Sequence, residues 1–316
     1  MFARLRDRFF GNEFEHMLAR AEKYHQTRFL IYWNRGLGDV ALGLYAIFET
    51  IRKTIPDARI TVVTRPELEQ AFSLLNVAGV LVVPDLVRRR PDDPAEAFKQ
   101  LKITEADFDV VLTRANPTKW LSGQLGSITP RLQWNPEYDS LCRRFDLPAD
   151  DKLVIGAHVN SETGHLYGYV KDWPVSHWLE LFNRLAASPS VRVVLFGHGL
   201  DDSFSALPVI DMRGRTSFLE MLSIIKNRCD VLIAPDSGVL STVFYLDSLF
   251  PLTLISLWAD PRQGVLKKAL DSPNPELRHF PLLGEEEDVS RIKVEDVGRI
   301  IEQDLSLRKE ASPSTQ

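Results

Sequence analysis

Four polar loops in the sequence carry the side chains best suited to chemistry. The first reads Arg35-Gly36-Leu37-Gly38-Asp39, in which Gly36 and Gly38 let the backbone turn sharply and approach a ligand closely. Asp39 lies at the start of a predicted helix. It either caps that helix, as Asp commonly does, or takes a proton from a substrate hydroxyl, and its position alone favours the cap. The spacing is not G-x-G-x-x-G, so a dinucleotide fingerprint is not supported.

The second loop runs from Asn160 to Trp173. Within it, Ser161, Thr163 and Gly164 offer hydroxyl and backbone donors of the kind that hold phosphate. Lys171 adds a positive charge just before a predicted helix start, where anions are already favoured. The alternative interpretation is a solvated loop with an exposed lysine.

The third loop, Pro235-Asp236-Ser237-Gly238, directly follows a very apolar predicted strand. This turn places the hydroxyl of Ser237 and several backbone N–H groups at a helix start, where together they can bind a diphosphate. Asp236 would face phosphate unfavourably, so it more naturally meets sugar hydroxyls or Lys171. An ordinary helix cap explains the turn equally well.

Two further segments carry carboxylates in less distinctive surroundings. The fourth loop, Trp258-Ala259-Asp260-Pro261-Arg262, follows the last long predicted strand, and Asp260 and Arg262 either contact a substrate or close a turn. Asp107-Phe108-Asp109 has the letters of a D-x-D motif that binds a metal–diphosphate. Because it opens a predicted strand instead of following one, it lies at the wrong end of the sheet and is interpreted as structural.

Charge and composition argue against several classes of protein. A formal net charge of -5 argues against a general nucleic-acid binder. Cys142 and Cys229 give neither a disulfide framework nor zinc spacing, and none of the seven histidines forms H-x-x-x-H or H-E-x-x-H. The sequence therefore predicts no metal and no cofactor. No stretch reaches the roughly 20 apolar residues that cross a bilayer, and a cytoplasmic location is expected.

The elements that must position these loops alternate between strand and helix. In the first half, strands are predicted at 28–34, 58–64, 79–85 and 108–114, and helices at 40–56 and 66–75. Residues 86–105 are polar and are interpreted as a solvated connection. The alternation predicts a parallel sheet with helices on both faces. Ligands of such sheets bind beyond the carboxyl ends of the strands, where the four loops fall.

The same pattern restarts after an irregular segment at 130–151, which is a plausible domain boundary. Strands are predicted at 152–159, 191–199, 229–238 and 252–260, and helices at 173–188, 217–228 and 294–305. We therefore expect two Rossmann-like domains, 1–150 and 151–316, the second ending in a short disordered tail at 311–316.

Residues 2–26 predict an additional N-terminal helix. Phe2, Leu5, Phe9 and Phe10 recur at helical spacing with arginines between them. The favoured interpretation is a helix packed on the body of the protein. The second is a basic amphipathic helix resting on an anionic membrane surface. The segment lacks the apolar core of a secretory signal.

Taken together, the loops resemble glycosyltransferase family 9, the family of the ADP-heptose:lipopolysaccharide heptosyltransferases. The segment LIYWNRGLGDVALGLYAI resembles the strand, Gly-Asp loop and helix that open the family. Lys171-Asp172-Trp173-Pro174 matches its K-x-W-P element, and Asp236-Ser237-Gly238 matches its D-S/T-G turn. MRGRTSFLEML, which contains Thr216, resembles its G-x-x-S/T segment before a helix. The likeness spans about residues 28 to 306, and it depends on the order and spacing of short elements.

The resemblance implies a GT-B fold, in which two Rossmann-like domains place their parallel sheets on either side of a cleft. It also implies an inverting reaction without a catalytic metal. Asp39 would be the general base in an acceptor-side N-terminal domain. The donor-binding residues would lie in the C-terminal domain: Ser161, Lys171, Thr216, Asp236, Ser237 and Gly238. The implied partners are a nucleotide-diphosphate sugar and a glycolipid or glycan acceptor, as in lipopolysaccharide biosynthesis, with peripheral contact at the inner face of the cell membrane.

One position departs from the family pattern. The family usually continues D-S/T-G as G-x-x-H, whereas this chain reads Gly238-Val239-Leu240-Ser241, and a serine cannot carry a proton near neutral pH. The donor sugar, heptose or another, therefore stays open. Two alternatives to the transferase also stay open: a nucleotide-sugar epimerase of the same architecture, and a sugar-nucleotide-binding protein without turnover.

Overall fold

The computed structural model describes residues 12–88, 93–121, 127–148, 150–161, 170–197, 202–266 and 270–311. The chain divides into two compact units, Met1–Gln133 and Trp134–Gln316. The division lies within the irregular segment 130–151, so the second unit begins before residue 151. A 3₁₀ helix at Pro136–Arg144 explains this, because the N–H of its Cys142 donates to Ser223 Oγ of the second unit at 3.0 Å.

The described residues of the first unit contain a four-stranded parallel sheet in the order β3-β2-β1-β4. Its strands are β1 (Arg28–Tyr32), β2 (Arg59–Thr64), β3 (Gly79–Val82) and β4 (Val110–Leu112). Its α-helices are α1 (Glu13–Lys23), α2 (Leu37–Asp39), α3 (Tyr45–Thr54), α4 (Glu69–Phe72), α5 (Pro94–Leu101) and α6 (Pro117–Trp120). Shorter elements are a π-helical turn at Val40–Leu44, 3₁₀ turns at Pro66–Leu68 and Glu105–Asp107, and strand β5 (Leu132–Gln133). The strands predicted for this half are confirmed. β1 and β2 are apolar runs of the kind that a parallel sheet buries on both faces.

Helix α1 packs on the first unit. Asn12 caps it: its side chain accepts the N–H groups of Phe14 and Glu15 at 2.9 and 3.1 Å. In return, the Glu15 carboxylate accepts the N–H of Asn12. Phe14 is fully buried and stacks on Trp120 with ring centroids 5.0 Å apart. Packing is therefore confirmed for residues 13–23. Residues 1–11, which carry the membrane interpretation, lie outside the described residues, as does most of the tail at 312–316.

The prediction of a solvated connection over 86–105 is wrong for its second half, which forms α5. Asp93 caps this helix and Pro94 occupies its first turn. Phe98 is 5% exposed, and its ring meets Tyr32 edge to face with centroids 6.5 Å apart. The arginines and prolines at 88–94 made the whole segment read as polar and obscured the apolar spacing that follows them. Residues 89–92 lie outside the described ranges.

The described part of the second unit contains a six-stranded parallel sheet in the order β8-β7-β6-β9-β11-β12. Its strands are β6 (Leu153–His158), β7 (Val191–Phe196), β8 (Ile210–Asp211), β9 (Val231–Pro235), β11 (Leu252–Trp258) and β12 (Leu277–Leu283). Its α-helices are α7 (Val175–Ala186), α8 (Phe218–Arg228), α9 (Gly238–Phe244) and α10 (Val294–Ala311), and a short strand β10 lies at Leu246–Asp247. Counted along the chain, the six strands have the order 3-2-1-4-5-6 of the doubly wound Rossmann fold.

The predicted α/β class with parallel sheets is thus confirmed, and each unit is Rossmann-like. Strands β8 and β12 were not predicted. β8 is only two residues long, and β12 is an edge strand whose half-exposed residues lack the apolar run of β11. Within the described ranges, none of the helices is long and apolar enough to span a membrane.

Candidate functional site

The carboxyl edge of the second sheet gathers polar side chains where the strand order reverses. β6 and β9 are parallel neighbours at this point, with Ile155 opposite Val231. Open α/β sheets bind ligands in the crevice at such a switch point, because the chain leaves the two strands toward opposite faces. Ser161 follows β6, and Asp236 and Ser237 follow β9. The strand order therefore makes neighbours of the second and third sequence-predicted loops.

An ion pair joins these two loops. Lys171 Nζ donates to the carboxylate of Asp236, and the two side chains are only 19% and 13% exposed. Lys171 is one of the two partners expected for Asp236 from the sequence. An ammonium group has three hydrogens, so pairing with Asp236 does not by itself exhaust what Lys171 can donate to a phosphate.

The backbone around Lys171 is anchored on both sides. Asp172 Oδ1 accepts the N–H of Ser161 at 2.8 Å, which ties the segment to the end of β6. Trp173 is 2% exposed, and its Nε1–H donates to the carbonyl of Ile292 at 3.0 Å. The K-x-W-P element thus uses its tryptophan as a buried anchor that presents the lysine. Ser161 is itself buried, while Thr163 and Gly164 of the same loop lie outside the described residues.

Ser237 has the capping role that its sequence position allowed. Its Oγ accepts the N–H of Leu240 at 3.2 Å, and Gly238 is the first residue of α9. A serine that accepts a capping bond can still donate its hydroxyl hydrogen to a ligand. Ser241, at the position of the family histidine, is buried, and its hydroxyl donates to the Ser237 carbonyl at 3.2 Å.

Gly264 and Trp258 form a wall behind Asp236 that the sequence did not suggest. Gly264 has φ +50°, and a Cβ there would lie 2.5 Å from Cη2 of Trp258 and 2.9 Å from Oδ1 of Asp236. The glycine backbone is therefore packed against both the indole ring and the carboxylate. Trp258 is the last residue of β11, so a search of strand carboxyl ends for aromatic residues, and not only for polar ones, would have found it.

A hydrogen-bonded chain holds the Trp258 indole. Its Nε1–H donates to Ser256 Oγ at 2.6 Å, and Ser256 Oγ lies 2.6 Å from Nε2 of His279. An indole can only donate, so Ser256 Oγ accepts from Trp258. The direction of the bond between Ser256 and His279 depends on the histidine tautomer. Burial lowers the pKa of His279 to about 4, so its ring is neutral at pH 7.

Two sequence candidates in this unit are not part of the ion pair. Thr216 lies farther along the edge of the sheet, and Asp260 closes a turn. Thr216 directly precedes Ser217, the cap of α8, and it follows β8, which is three strands from β9, or roughly 14 Å at the usual strand spacing. Asp260 Oδ1 accepts both the N–H and the Nε–H of Arg262, at 2.8 and 2.7 Å. These bonds hold the pKa of Asp260 at about 2 and close the turn, which is one of the two roles considered for the fourth loop.

Asp39 occupies the carboxyl edge of the first sheet, after β1. The interpretation of Asp39 as the helix cap is wrong: Gly36 is the cap, and Asp39 is the third residue of the turn. Its Oδ2 accepts the N–H of Gly36 at 3.3 Å and lies 3.6 Å from Nε of Arg35. The side chain is 46% exposed. A solvent-accessible carboxylate held by one oxygen is suited to accept a proton from a bound hydroxyl.

Neither glycine of this loop forms a sharp turn. Gly36 has φ -71° and ψ 154°, which any residue adopts, and Gly38 lies within the helical turn α2. A Cβ on Gly36 would lie 3.1 Å from Nη2 of Arg88 and 3.3 Å from Oδ2 of Asp39. Gly36 therefore makes room for its charged neighbours, which corrects the prediction of a sharp glycine turn.

The D-x-D letters are structural, as predicted. Asp109 Oδ2 accepts the N–H groups of Thr27 and Arg28 at 3.0 and 2.8 Å, at the amino edge of the first sheet. These bonds and the Arg28 guanidinium hold the pKa of Asp109 at about 2. In the part of the chain that the structure describes, no three His, Cys, Asp or Glu side chains group together as a metal site would require.

Solved structures resemble this chain over most of its length, whereas no protein-family profile and no curated protein matches its sequence. Escherichia coli ADP-heptose lipopolysaccharide heptosyltransferase II has a TM-score of 0.57 at 17% identity, over 88% of this chain and 99% of that one. A family 9 glycosyltransferase from Veillonella parvula gives 0.57 at 16% identity, over 88% and 96%. The E. coli heptosyltransferase WaaC with ADP gives 0.52 at 16% identity, over 88% and 99%.

At these identities the likeness establishes the fold. The chain has an α/β fold with parallel sheets, of the GT-B type. This fold is like that of the heptosyltransferases and of the family 9 glycosyltransferase named above. The family resemblance drawn from the short sequence elements is confirmed at this level. The expected cleft between the domains and the roles of the individual site residues stay predictions.

Proposed function

We propose, from the premise of a heptosyltransferase-like fold, that this chain is an inverting, metal-independent glycosyltransferase. It moves a sugar from a nucleotide-diphosphate sugar to a hydroxyl of a glycolipid or glycan acceptor. The observation that carries the proposal is the Lys171–Asp236 ion pair at the switch point of the second sheet. Fold alone does not define an activity, whereas a charged pair in the crevice that binds ligands in such sheets supports one.

The donor binds along the carboxyl edge of the second sheet. Lys171 donates to the diphosphate, and the hydroxyl groups of Ser161 and Ser237, which follow β6 and β9, offer further donors. Asp236 holds Lys171 in place and accepts sugar hydroxyls with its remaining lone pairs. Thr216 contacts a part of the donor farther along the edge, consistent with its origin at β8.

The reaction is a single displacement. The Asp39 carboxylate takes the proton of an acceptor hydroxyl as the hydroxyl oxygen bonds to the anomeric carbon from the face opposite the nucleotide diphosphate. The bond from that carbon to the diphosphate oxygen breaks, and its electron pair leaves with the nucleotide. Lys171 stabilises the negative charge that develops on the leaving group, the task that a metal ion performs in other transferases. Inversion at the anomeric carbon follows from this geometry.

ADP-heptose is the first donor to test, because two of the similar structures carry ADP-heptose or ADP in their names. The replacement of the family histidine by Ser241 is a specific observation in favour of a second candidate, a nucleotide-sugar-binding protein without turnover. An epimerase of the same architecture is the third hypothesis, and it alone would release isomerised sugar without an acceptor.

The proposed place of action is the inner face of the cell membrane, where a glycolipid acceptor is accessible to a cytoplasmic enzyme. Residues 1–11 supply the contact through Phe2, Leu5, Phe9 and Phe10 and the arginines between them. Sedimentation with anionic vesicles tests this part: the full chain is expected to bind, and a chain that begins at residue 12 is expected to bind less. Equal binding of the two would remove the membrane contact from the proposal.

A thermal-shift screen against nucleotide sugars, followed by turnover assays, tests the activity. A ligand that binds the native state raises its stability, so the true donor raises the melting temperature. We expect Asp39→Asn to keep donor binding and to lose transfer by a factor of ~10²–10⁴, the usual contribution of a general base. Donor binding by the wild type without transfer to any acceptor would favour the binding protein, and isomerised free sugar would favour the epimerase.

A further inference from the structure

Arg65 is a buried cation beneath the loop that carries Asp39. It directly follows β2 and is only 3% exposed. Its Nη1 donates to Oδ1 of Asn34 at 3.0 Å and to the carbonyl oxygen of Arg35 at 2.8 Å. Its Nε lies 3.4 Å from the largely exposed carboxylate of Glu67. A guanidinium is rarely so buried unless it is paired through hydrogen bonds, because removing its charge from water is costly.

The Arg35 carbonyl and the Gly36 N–H belong to one planar peptide group. Arg65 binds the oxygen side of this group at 2.8 Å, and Asp39 Oδ2 accepts from the nitrogen side at 3.3 Å. One peptide therefore connects the guanidinium to the carboxylate. A cation on the carbonyl polarises the peptide and strengthens donation by its N–H, as occurs in chains of hydrogen bonds.

The end of β2 also fixes the chain that precedes this peptide. Thr64 Oγ1 donates to the carbonyl of Trp33 at 2.8 Å, and the Trp33 N–H donates to Val63 at 2.8 Å. These bonds hold the start of the loop against the sheet. Arg65 extends the attachment to the peptide that Asp39 uses. Two other cations face this carboxylate region: Arg35, 3.6 Å from Asp39 Oδ2, and Arg88, packed beside Gly36.

We propose that Arg65 is a positioning residue for Asp39 and acts through the peptide between Arg35 and Gly36. This role rests on the proposed function, in which Asp39 is the general base. Arg65 orients the N–H that holds Oδ2, so that the other carboxylate oxygen faces the acceptor hydroxyl.

The experiment compares Arg65→Met with Arg65→Lys and with a matched control, Arg28→Met. Arg28 lies at the opposite edge of the same sheet, where it pairs with Asp109 and is 55% exposed. Three quantities are measured on the full chain: kcat, the donor KM, and hydrogen–deuterium exchange of peptides covering residues 33–39. Exchange needs no turnover. A wild type without transfer would therefore overturn the proposed function, and exchange would still decide whether Arg65 fixes the loop.

We expect R65M to lower kcat ~10–100-fold, which corresponds to a lost charge-assisted hydrogen bond, with the donor KM within about 2-fold of the wild type. Exchange across 33–39 accelerates in R65M, is intermediate in R65K, and stays at the wild-type rate in R28M.

Wild-type kcat and wild-type exchange in a folded R65M would overturn the proposal. Equal changes in R65M and R28M would also overturn it, because they would reflect general loss of stability. If R65M does not fold, R65K carries the test. Its shorter side chain reaches the Arg35 carbonyl poorly, so slower turnover and faster exchange are expected, and wild-type values of both would contradict the role.

Discussion

Lys171 and Asp236 form an ion pair at the carboxyl edge of the second sheet, between the ends of β6 and β9. The pair is mostly buried, so neither charge can be removed without leaving the other poorly solvated. In the proposed function, a diphosphate that enters this edge meets a lysine that is already held in place. Preorganised charge of this kind stabilises a leaving group without a cost of reorganisation during the reaction.

The mutual dependence of this pair predicts strong coupling in a double-mutant cycle. We expect Lys171→Met and Asp236→Asn each to lower the free energy of unfolding by about 1–3 kcal/mol, less than for a fully buried pair because both side chains retain some exposure. The double variant should lose clearly less than the sum. Urea denaturation at pH 7 measures all four proteins, and additive losses would show that the two side chains act independently.

The close approach of Pro117 to Gly43 predicts that this glycine cannot be enlarged. A Cβ on Gly43 would lie 2.9 Å from Pro117, in the π-helical turn that follows Asp39. We expect Gly43→Ala to destabilise the protein by about 1–3 kcal/mol through overpacking. Gly298→Ala is the matched control, since a Cβ on this helical glycine meets nothing within 4 Å, and it should stabilise by up to about 1 kcal/mol. A gain in melting temperature for both variants would refute the predicted clash.

Gly264 should matter for donor binding as well as for stability. Its φ of +50° disfavours any side chain, and a Cβ would press on Trp258 and on Oδ1 of Asp236. Gly214, with φ +63°, is a control for the backbone strain alone. Gly214→Ala is expected to lose about 1–2 kcal/mol of stability through backbone strain. Gly264→Ala should lose more, because its Cβ also overpacks against Trp258, and only this variant should weaken the thermal shift caused by the donor. If the donor raised the melting temperature of both variants equally, Gly264 and the Trp258 wall would not be part of the donor site.

The half-buried His279 predicts a specific dependence of stability on pH. Burial lowers its pKa to about 4, against 6.5 in the unfolded chain. Between these values the unfolded state binds the additional proton, so the free energy of unfolding falls as pH decreases through this window. His279→Gln removes the titration, and its loss of stability from pH 7 to pH 5 should be smaller than that of the wild type. His16→Gln, at an exposed position, should keep the wild-type slope, and an unchanged slope in the His279 variant would contradict the burial argument.

The sequence was most informative where one physical signal dominated. Apolar runs marked eight of the strands, and the rule that ligands bind at strand carboxyl ends selected the loops of Lys171 and Asp236. The same rule selected Asp39, although its role at the helix start was misjudged. An Asp three residues after a Gly can accept the N–H of that Gly, and the letters alone do not tell which of the two is the cap.

Contacts between residues distant in the sequence were not predictable in this way. Arg65 is buried because it reaches Asn34 and Arg35 on a neighbouring strand end, a contact that becomes visible only when β1 and β2 are paired. Gly264 is constrained by Trp258 at the end of β11 and by Asp236 directly after β9. Helix α5 was missed for a local reason, since the charged and proline-rich start of its segment outweighed Phe98 in the hydrophobic pattern.

The most direct test is calorimetric titration of the wild type, Lys171→Met and the control Lys293→Met with the nucleotide-diphosphate sugar that gives the largest thermal shift. Lys293 is an exposed lysine of the same unit. The account predicts that K171M binds the donor ~10–100-fold more weakly, the equivalent of a lost charge-assisted bond to phosphate, while K293M binds like the wild type. Wild-type affinity in a folded K171M would mean that the donor does not bind at the edge formed by β6 and β9.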